Sequence, residues 1–250
     1  MQRVKSKWTK THVLLRNKTI RSFVPATRVM TKAALQTMLN QHRMVYVKPD
    51  MGSFGQGVMR VEKITSSKGT QYLYQHGDRP RAFSSFDRLY RAIGGSKIKK
   101  NYLVQKGIHL LKFRQRRFDI RVMIQKSPKG AWEATGLIGR LSHPKRIVTN
   151  YHSGGTPLPV GTLMQPHLNK ARRSQYNQKL RILGVAIAKH MQKSYPGLKE
   201  IGVDIAVDRT MKPWILEVNS RPDPFIFNQL KDKSMYRRIY RYAKAYGRLK

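Results

Sequence analysis

Cysteine is absent from this chain of 250 residues, and acidic residues are scarce. Without cysteine there is no disulfide, no thiolate metal site and no cysteine nucleophile, so a metal must be bound through oxygen or imidazole. No segment approaches the roughly 20 consecutive apolar residues of a membrane span, and the basic N-terminus lacks the apolar stretch of a signal peptide. Cytoplasmic residence is therefore expected.

The charge balance is strongly one-sided. Lysine and arginine number 51 against 12 aspartate and glutamate residues, which gives a formal net charge of +39. Such an excess repels itself in a compact chain unless counterions or a partner screen it. It favours a large polyanionic partner, such as nucleic acid, an anionic polymer or an acidic peptide surface. The alternative is that the positive charge is an adaptation shared by the whole proteome, either for solubility or for an acidic environment.

Helical and strand patterns alternate along the chain, which indicates an α+β protein. Residues 31–42 and 171–195 have helical periodicity, and residues 84–93 and 229–250 are expected to be helical as well. Three β-hairpins are expected, from residues 44–49 with 58–64, 118–125 with 131–139, and 201–207 with 214–218. Residues 1–24 are interpreted as a basic arm, with one short strand near residues 19–24.

The third hairpin carries the most informative carboxylates. If residues 208–213 form its turn, Val207 faces Trp214 and Asp204 lies opposite Glu217, with Asn219 on the same face as Glu217. Two opposed carboxylates repel each other unless a cation lies between them. Mg²⁺ suits two carboxylates and an amide oxygen. A lysine or arginine within a structural salt-bridge network is the alternative cation.

A glycine-rich segment follows the first strand of the first hairpin. Gly52, Ser53, Phe54, Gly55, Gln56 and Gly57 come after the strand that bears Lys48 and lead into another strand. Because no helix follows, the segment is neither a Walker loop nor a dinucleotide fingerprint. It can be a hairpin lid whose N–H groups fold over phosphates while Lys48 reaches in from the strand. An ordinary turn is the alternative.

These segments together resemble the ATP-grasp superfamily, and specifically the endospore coat-associated YheC/YheD family. The resemblance runs from about Pro25 to the C-terminus. It is carried by six ordered motifs: Val-Lys48-Pro with the Gly52–Gly57 loop, Tyr-Leu-Val-Gln105-Lys-Gly-Ile, Arg117-Phe-Asp119-Ile-Arg121-Val, Gly-Arg140-Leu-Ser, Val-Thr-Asn150 with Gly154-Gly155, and Gly-Val-Asp204 with Glu217-Val-Asn219-Ser-Arg-Pro222.

The resemblance implies two α+β lobes that hold a nucleotide between two antiparallel sheets. Residues 25–106 would be the small lobe and residues 107–250 the large lobe. Lys48 and the glycine loop would bind the ATP phosphates, and Gln105 with the backbone of Lys106 and Gly107 would read the adenine edge. Arg121, Arg140 and Asn150 would be the catalytic residues, the two arginines holding the γ-phosphate or an acyl phosphate.

By the same resemblance, Asp204, Glu217 and Asn219 would bind one or two Mg²⁺ ions, with Mn²⁺ as a substitute. The activity would be that of a carboxylate-amine ligase: ATP activates a carboxylate as an acyl phosphate, which an amine attacks. A peptide or anionic substrate is expected, and the family name suggests spore association. For Arg121, a partner role for Asp119 or Glu133 is the alternative interpretation.

Two departures from the superfamily pattern stand out. Many members place a carboxylate for the ribose shortly after the hinge, where this chain has His109. Many also carry a separate N-terminal domain, where this chain has only the basic arm.

A non-enzymatic binder of nucleic acid or another polyanion, built on the ATP-grasp scaffold, is the competing hypothesis. Basic clusters occur in residues 79–91, 97–100, 114–117 and 236–244. In the last of these, Tyr236, Ile239, Tyr240 and Ala243 are expected to pack inward, with the arginines solvated.

Overall fold

The computed structural model describes residues 1–67 and 69–249. Its strands form two antiparallel sheets of six strands each. The helices are α1 (Lys7–Leu15), α2 (Lys32–His42), α3 (Phe86–Ser96), α4 (Val160–Met164), α5 (Lys170–Ser194) and α6 (Ser234–Ala245). The strands are β1 (Thr27–Val29), β2 (Met44–Pro49), β3 (Met59–Ser66), β4 (Gly69–His76), β5 (Arg79–Phe83), β6 (Tyr102–Lys106), β7 (Lys112–Phe113), β8 (Arg116–Lys126), β9 (Trp132–Leu141), β10 (Thr156–Leu158), β11 (Glu200–Val207) and β12 (Pro213–Asn219).

The first sheet, in the order β1-β6-β2-β3-β4-β5, is packed against α2 and α3. Thr31 caps α2 by accepting a hydrogen bond from the N–H of Ala34, as its position in the sequence predicts. Leu35 and Leu39 of α2 and Leu89 of α3 are buried in the core of this lobe. The hairpin of β2 and β3 is confirmed, whereas β4 and β5 were not predicted.

The second sheet, in the order β10-β9-β8-β11-β12, packs against α5 on one face, while its other face carries charged side chains of β8 and, beside them, hydrophobic contacts with α6. Along β8, Ile120 and Val122 belong to the core shared with α5, while Asp119 and Arg121 alternate with them and point to the other side. Both hairpins predicted for this part of the chain are confirmed, and so is the long helix α5. The strand alternation thus positions the charged side chains of β8 opposite its hydrophobic ones.

The N-terminal 24 residues contain a helix that the sequence analysis missed. Ser6 caps α1 by accepting from the N–H of Thr9, and Val13 and Leu14 are buried in the core of the second sheet. The short strand expected near residues 19–24 is wrong. That segment is a 3-10 helix, Ile20–Phe23, which begins where the Asn17 side chain accepts hydrogen bonds from two backbone N–H groups.

The C-terminal segment is a 3-10 helix, Phe225–Gln229, followed by α6. Ile239 and Ala243 are buried as expected, but Tyr242 is the buried tyrosine rather than Tyr240 or Tyr236. The hydroxyl of Tyr242 donates to Glu133, which fixes this rotation of the helix. Within the described residues, no helix combines the length and apolarity that crossing a membrane requires.

Candidate functional site

A cavity of about 450 Å³ lies between the two sheets. The first sheet and its loops contribute Lys48, Gln105 and residues 52–56, and the second sheet contributes Arg121, Arg140 and Asp204. The cavity therefore combines residues that are far apart in sequence, such as Lys48 and Asp204, which are separated by 156 positions. A concave site of this size, with charged groups converging from two lobes, suits a small-molecule ligand.

Lys48 connects the two sheets across the cavity. Its Nζ donates to Gln105 Oε1 at 2.8 Å and to the carbonyl oxygen of Leu216 at 3.1 Å. Burial lowers the pKa of Lys48 to about 8, although the nearby Glu217 carboxylate opposes this shift. An anion placed beside Lys48 would relieve the cost of keeping this ammonium charged.

The glycine-rich loop lies over the same cavity. Gly55 has φ +75°, a conformation that favours glycine, and the backbone there approaches Val148 and Asn150 of the second lobe. The Phe54 ring packs edge-on against His152, with ring centroids 4.3 Å apart, and the Phe54 carbonyl accepts a hydrogen bond from Ser153. The loop is thus held in a closed position by contacts between the two lobes.

The carboxylate hairpin has the predicted pairing but not the predicted turn. Val207 pairs with Pro213 rather than with Trp214, and Asp204 nevertheless pairs with Glu217. The register shifts between Asp204 and Ile205, which leaves Leu216 as an extra residue, a β-bulge, on β12. The bulge restores the alignment of the two carboxylates and presents the Leu216 carbonyl to Lys48.

Arg121 and Arg140 surround Asp204. Arg121 donates to both oxygens of Asp204, and Arg140 Nη2 lies 3.0 Å from Asp204 Oδ2. Arg140 also donates to Asp119 at 2.8 and 2.5 Å, and Asp119 accepts from Thr149 at 2.7 Å. The partner of Arg121 is therefore Asp204 and neither of the alternatives considered from the sequence, Asp119 or Glu133.

Burial and the neighbouring charges have opposite effects on the pKa values of Asp204 and Arg140. Burial opposes the charged form of Asp204, but Arg121 and Arg140 outweigh it and lower the pKa of the carboxyl. Burial likewise opposes the charge of Arg140, but Asp119 and Asp204 raise its pKa. Asp204 and Arg140 are therefore both ionised at neutral pH. Two buried guanidinium groups are thus already fixed and charged before a ligand arrives.

Lys7 and Lys10, on the helix that the sequence analysis missed, reach the same site. Lys7 Nζ donates to the Gly52 carbonyl at 3.0 Å and lies 3.7 Å from Glu217 Oε1. Lys10 is also buried, and burial lowers its pKa, although Glu217 opposes this. One signal in the sequence could have revealed α1. Ser6 is a capping residue, and it is followed at helical spacing by Lys7, Lys10, Val13 and Leu14. Lysines at its buried positions gave no apolar signal.

The hairpin supplies oxygen groups of the kind that suits Mg²⁺, but in the structure the cations beside Asp204 are Arg121 and Arg140, which is the alternative considered from the sequence. Glu217 and Asn219 line the cavity, and the Asn219 amide lies between its neighbours, with its nitrogen 3.2 Å from Glu217 Oε1 and its oxygen 3.2 Å from Arg121 Nη2. Two carboxylates and an amide are hard oxygen ligands, and phosphate and water oxygens would complete an octahedron. Among residues 1–67 and 69–249, no group of three or more histidine and acidic side chains is arranged to hold a metal without such a ligand.

Most of the residues predicted for the site line this cavity. They are Lys48, Gly52, Ser53, Phe54, Gly55, Gln56, Gln105, Lys106, Arg121, Arg140, Asn150, Asp204, Glu217 and Asn219. Gly57 and Gly107 are outside its lining. At both positions a Cβ would lie within 3 Å of a neighbouring side chain, of Tyr102 and Met44 respectively, so close packing accounts for glycine there. His109 is exposed and also outside the lining.

The adenine-reading groups expected after β6 are only partly available. The N–H groups of Lys106 and Gly107 donate to the carbonyls of Ala26 and Met44. The side chain of Gln105 is held between Lys48 and Thr27. The next residue, Ile108, does line the cavity and supplies an apolar wall beside the strand end.

The chain is similar in sequence to two curated proteins. The chain is 26% identical over 249 residues to the endospore coat-associated protein YheD of Bacillus subtilis (strain 168), covering 95% of this chain and 53% of YheD. It is 22% identical over 217 residues to YheC of the same organism, covering 86% of this chain and 59% of YheC. The chain thus spans somewhat more than half the length of these curated relatives.

The fold is similar to that of a solved enzyme. The crystal structure of N5-carboxyaminoimidazole ribonucleotide synthetase from Thermotoga maritima matches 97% of this chain and 49% of that protein, with a TM-score of 0.51 and 10% identity. At that identity the likeness establishes the fold alone. The sequence profile of the YheC/D like ATP-grasp family matches residues 2–249, and the chain therefore belongs to that family.

Proposed function

We propose that this chain is the catalytic unit of an ATP- and Mg²⁺-dependent carboxylate-amine ligase. One observation carries the proposal: buried Lys48 and the glycine-rich loop of one lobe face buried Arg121 and Arg140 and the Asp204–Glu217 pair of the other lobe across a single cavity. Carboxylate and amide oxygens suit a divalent cation, and the cationic side chains suit phosphate oxygens. The family and the fold agree with this class of reaction.

In this proposal the carboxylate substrate attacks the γ-phosphorus of ATP, which forms an acyl phosphate and releases ADP. The amine then attacks the acyl carbon, which forms the amide and releases phosphate and a proton. Mg²⁺ held by Asp204, Glu217 and Asn219 would supply neutralising charge at the phosphates. The protein residues contribute alignment and electrostatic stabilisation rather than covalent chemistry.

Each residue has a defined part in that scheme. Lys48 binds the phosphates from β2, and the glycine loop covers them and excludes water. Arg121 and Arg140 would contact the transferred phosphoryl group through the N–H groups that their pairing with Asp204 and Asp119 leaves free, and Asp119 orients Arg140. Asn150 lines the cavity beside the glycine loop and would contact the acyl phosphate.

Thermal unfolding with and without Mg-ATP tests nucleotide binding. At 100 times Kd a ligand stabilises a protein by about 2.7 kcal/mol, which corresponds to about 5 to 10 °C for a chain of this size. We expect Asp204→Asn and Glu217→Gln to lose the Mg²⁺-dependent part of the shift. Asp78→Asn, which removes an exposed carboxylate in a turn, is the matched control. A wild-type chain that Mg-ATP does not stabilise would refute the proposal.

Turnover needs a separate measurement, because stabilisation shows binding only. Mixtures of amino acids and acidic peptides are added with Mg-ATP, and ADP and phosphate release are followed. A ligase releases ADP and phosphate when the acid and the amine are present together. With the acid alone it releases at most ADP, and does so slowly. The relatives are named endospore coat-associated proteins, and we propose spore association for this chain on that ground.

The net charge favours a second candidate, a polyanion-binding protein on the same scaffold. A formal charge of +39 is far more than one nucleotide requires. Exposed arginines of β5 and α3, Arg79, Arg81, Arg88 and Arg91, provide a basic surface outside the cavity. If DNA binds with a steep salt dependence while Mg-ATP has no effect, this candidate replaces the ligase.

A further inference from the structure

The cavity holds more positive charge than Mg-ATP can neutralise. Eight lysine and arginine side chains line it against four aspartate and glutamate side chains. Mg-ATP carries a net charge of about −2, and Glu200 outside the lining pairs with Arg248, so a formal excess of about one positive charge would remain after Mg-ATP binds. Unpaired positive charge in a partly buried cavity is costly. The remaining positive charge therefore favours binding of a second anionic group, separate from the nucleotide.

Three arginines outside the nucleotide and metal sites form one part of this lining. Arg3, Arg221 and Arg248 come from the N-terminal segment, the exit of β12 and the C-terminal tail. Ser220 joins the first two segments, because its side chain accepts from the Val4 N–H at 2.8 Å and donates to the Val4 carbonyl at 3.1 Å. Residues next to Ser220 and Val4 are thus held side by side.

Arg248 is directed back toward the cavity by the end of α6. Gly247 has φ +72°, and the Arg248 N–H donates to the Ala243 carbonyl at 2.8 Å, as in the glycine-terminated caps that reverse a chain after a helix. Arg248 Nε then donates to Glu200 Oε1 at 3.1 Å. The tail is therefore folded onto the sheet rather than extended into solvent.

Glu200 is a buried anchor for this arginine. It is fully buried, and its second oxygen accepts from the Tyr246 hydroxyl at 2.8 Å. The Tyr246 oxygen in turn accepts from Gln125 at 2.6 Å. Among the described residues, the Arg248 guanidinium group makes its hydrogen bond through Nε alone. The terminal nitrogens, which carry four of the five N–H donors, are left for a ligand.

We propose that Arg3, Arg221 and Arg248 form a carboxylate-binding subsite, and that the acid substrate of the proposed ligase is an acidic peptide with further carboxylates beside the one that reacts. The inference rests on the proposed function. Guanidinium groups bind carboxylates as bidentate forks. The reaction itself requires a carboxylate, which an oligoglutamate supplies and a nucleic acid does not. Glu200 acts as a positioning residue for Arg248.

The subsite is tested with fluorescein-labelled hexaglutamate and the full chain in fluorescence anisotropy. Arg221→Gln and Arg248→Gln are each expected to weaken binding about tenfold, the effect of losing one hydrogen bond to a charged group. Arg237→Gln removes the same charge from the exposed side of α6 and is expected to change binding less than twofold. Equal losses in all three variants, or equal binding of hexaglutamine, overturn the subsite.

Two further measurements keep the result interpretable. Arg221 is exposed, so Arg221→Gln tests the subsite even if Arg248→Gln unfolds by leaving Glu200 buried without its cation; circular dichroism identifies that case. Competition by unlabelled oligothymidylate as strong as by hexaglutamate assigns the surface to nucleic acid and overturns the proposal. If Mg-ATP stabilises the wild-type chain but hexaglutamate does not bind, only the subsite fails. If Mg-ATP gives no stabilisation, the proposed ligase fails instead.

Discussion

Lys48 offers a direct test of the link between burial and nucleotide binding. Its pKa is lowered from 10.5 to about 8 chiefly because the ammonium group is buried. This depression corresponds to about 3 kcal/mol of cost for the charged form. Phosphate oxygens beside Lys48 would remove that cost and raise the pKa again, so we expect the chain to take up protons when Mg-ATP binds.

The number of protons follows from the pKa. With a pKa of about 8, Lys48 is about half neutral at pH 8 and about one tenth neutral at pH 7, so binding takes up about half a proton at pH 8 and about a tenth at pH 7. The sign is fixed by the direction of the shift. Between about pH 8 and 10.5 the folded chain without ligand holds fewer protons on Lys48 than the unfolded chain, and its stability rises with pH there.

Isothermal titration calorimetry in buffers of different ionisation enthalpy measures this uptake as the slope of the binding enthalpy. Lys48→Arg is the matched variant, because arginine keeps the charge but does not titrate in this range. We expect a slope of about half a proton for the wild-type chain at pH 8 and almost none for Lys48→Arg. A zero slope in the wild-type chain, or an unchanged slope in the variant, would refute the reasoning.

Three further predictions concern residues that support the site. Gly202→Ala would place a methyl group 2.7 Å from Pro222 Cβ, so urea unfolding should show a loss of about 1 to 3 kcal/mol; an unchanged midpoint would contradict the packing. Tyr246→Phe removes the hydroxyl that donates to buried Glu200 and should lower the free energy of unfolding by about 1.5 to 3 kcal/mol, with Tyr236→Phe, at a half-buried position of α6, as the comparison in the same assay. Asp119→Asn weakens the hydrogen bonds that hold buried Arg140. It should reduce any ATP turnover more than it reduces the stabilisation by Mg-ATP. A variant that loses both equally would speak against an orienting role for Asp119.

Local patterns were enough to identify much of the secondary structure. Strict alternation in β8 predicted its strand and its two faces, and the capping threonine of α2 predicted where that helix begins. The N-terminal helix was missed because two of its buried positions are lysines, Lys7 and Lys10, whose burial depends on groups remote in sequence. Strands β4 and β5 were missed for a related reason. Their residues are mostly half-buried or exposed and give little apolar periodicity.

The carboxylate hairpin shows how a correct pairing can follow from an incorrect turn. The assumed pairing of Val207 with Trp214 is off by one residue, and the bulge at Leu216 compensates for the error at Asp204 and Glu217. A bulge is a departure from regular pairing that strand periodicity does not reveal. The sequence also left open which cation lies beside Asp204. The arginines that contact Asp204 come from two other strands, β8 and β9.

The sequence by itself determined most of the strand and helix pattern, the excess of positive charge and the residue types from which a phosphate and metal site can be built. These properties are local or compositional, so periodicity, capping residues and motifs record them. Only the tertiary structure decided that Lys7 faces Glu217, that Arg121 and Arg140 share Asp204, and that the C-terminal tail returns Arg248 to the cavity. Such contacts join segments far apart in the chain, and their geometry depends on how the two sheets pack around one cleft.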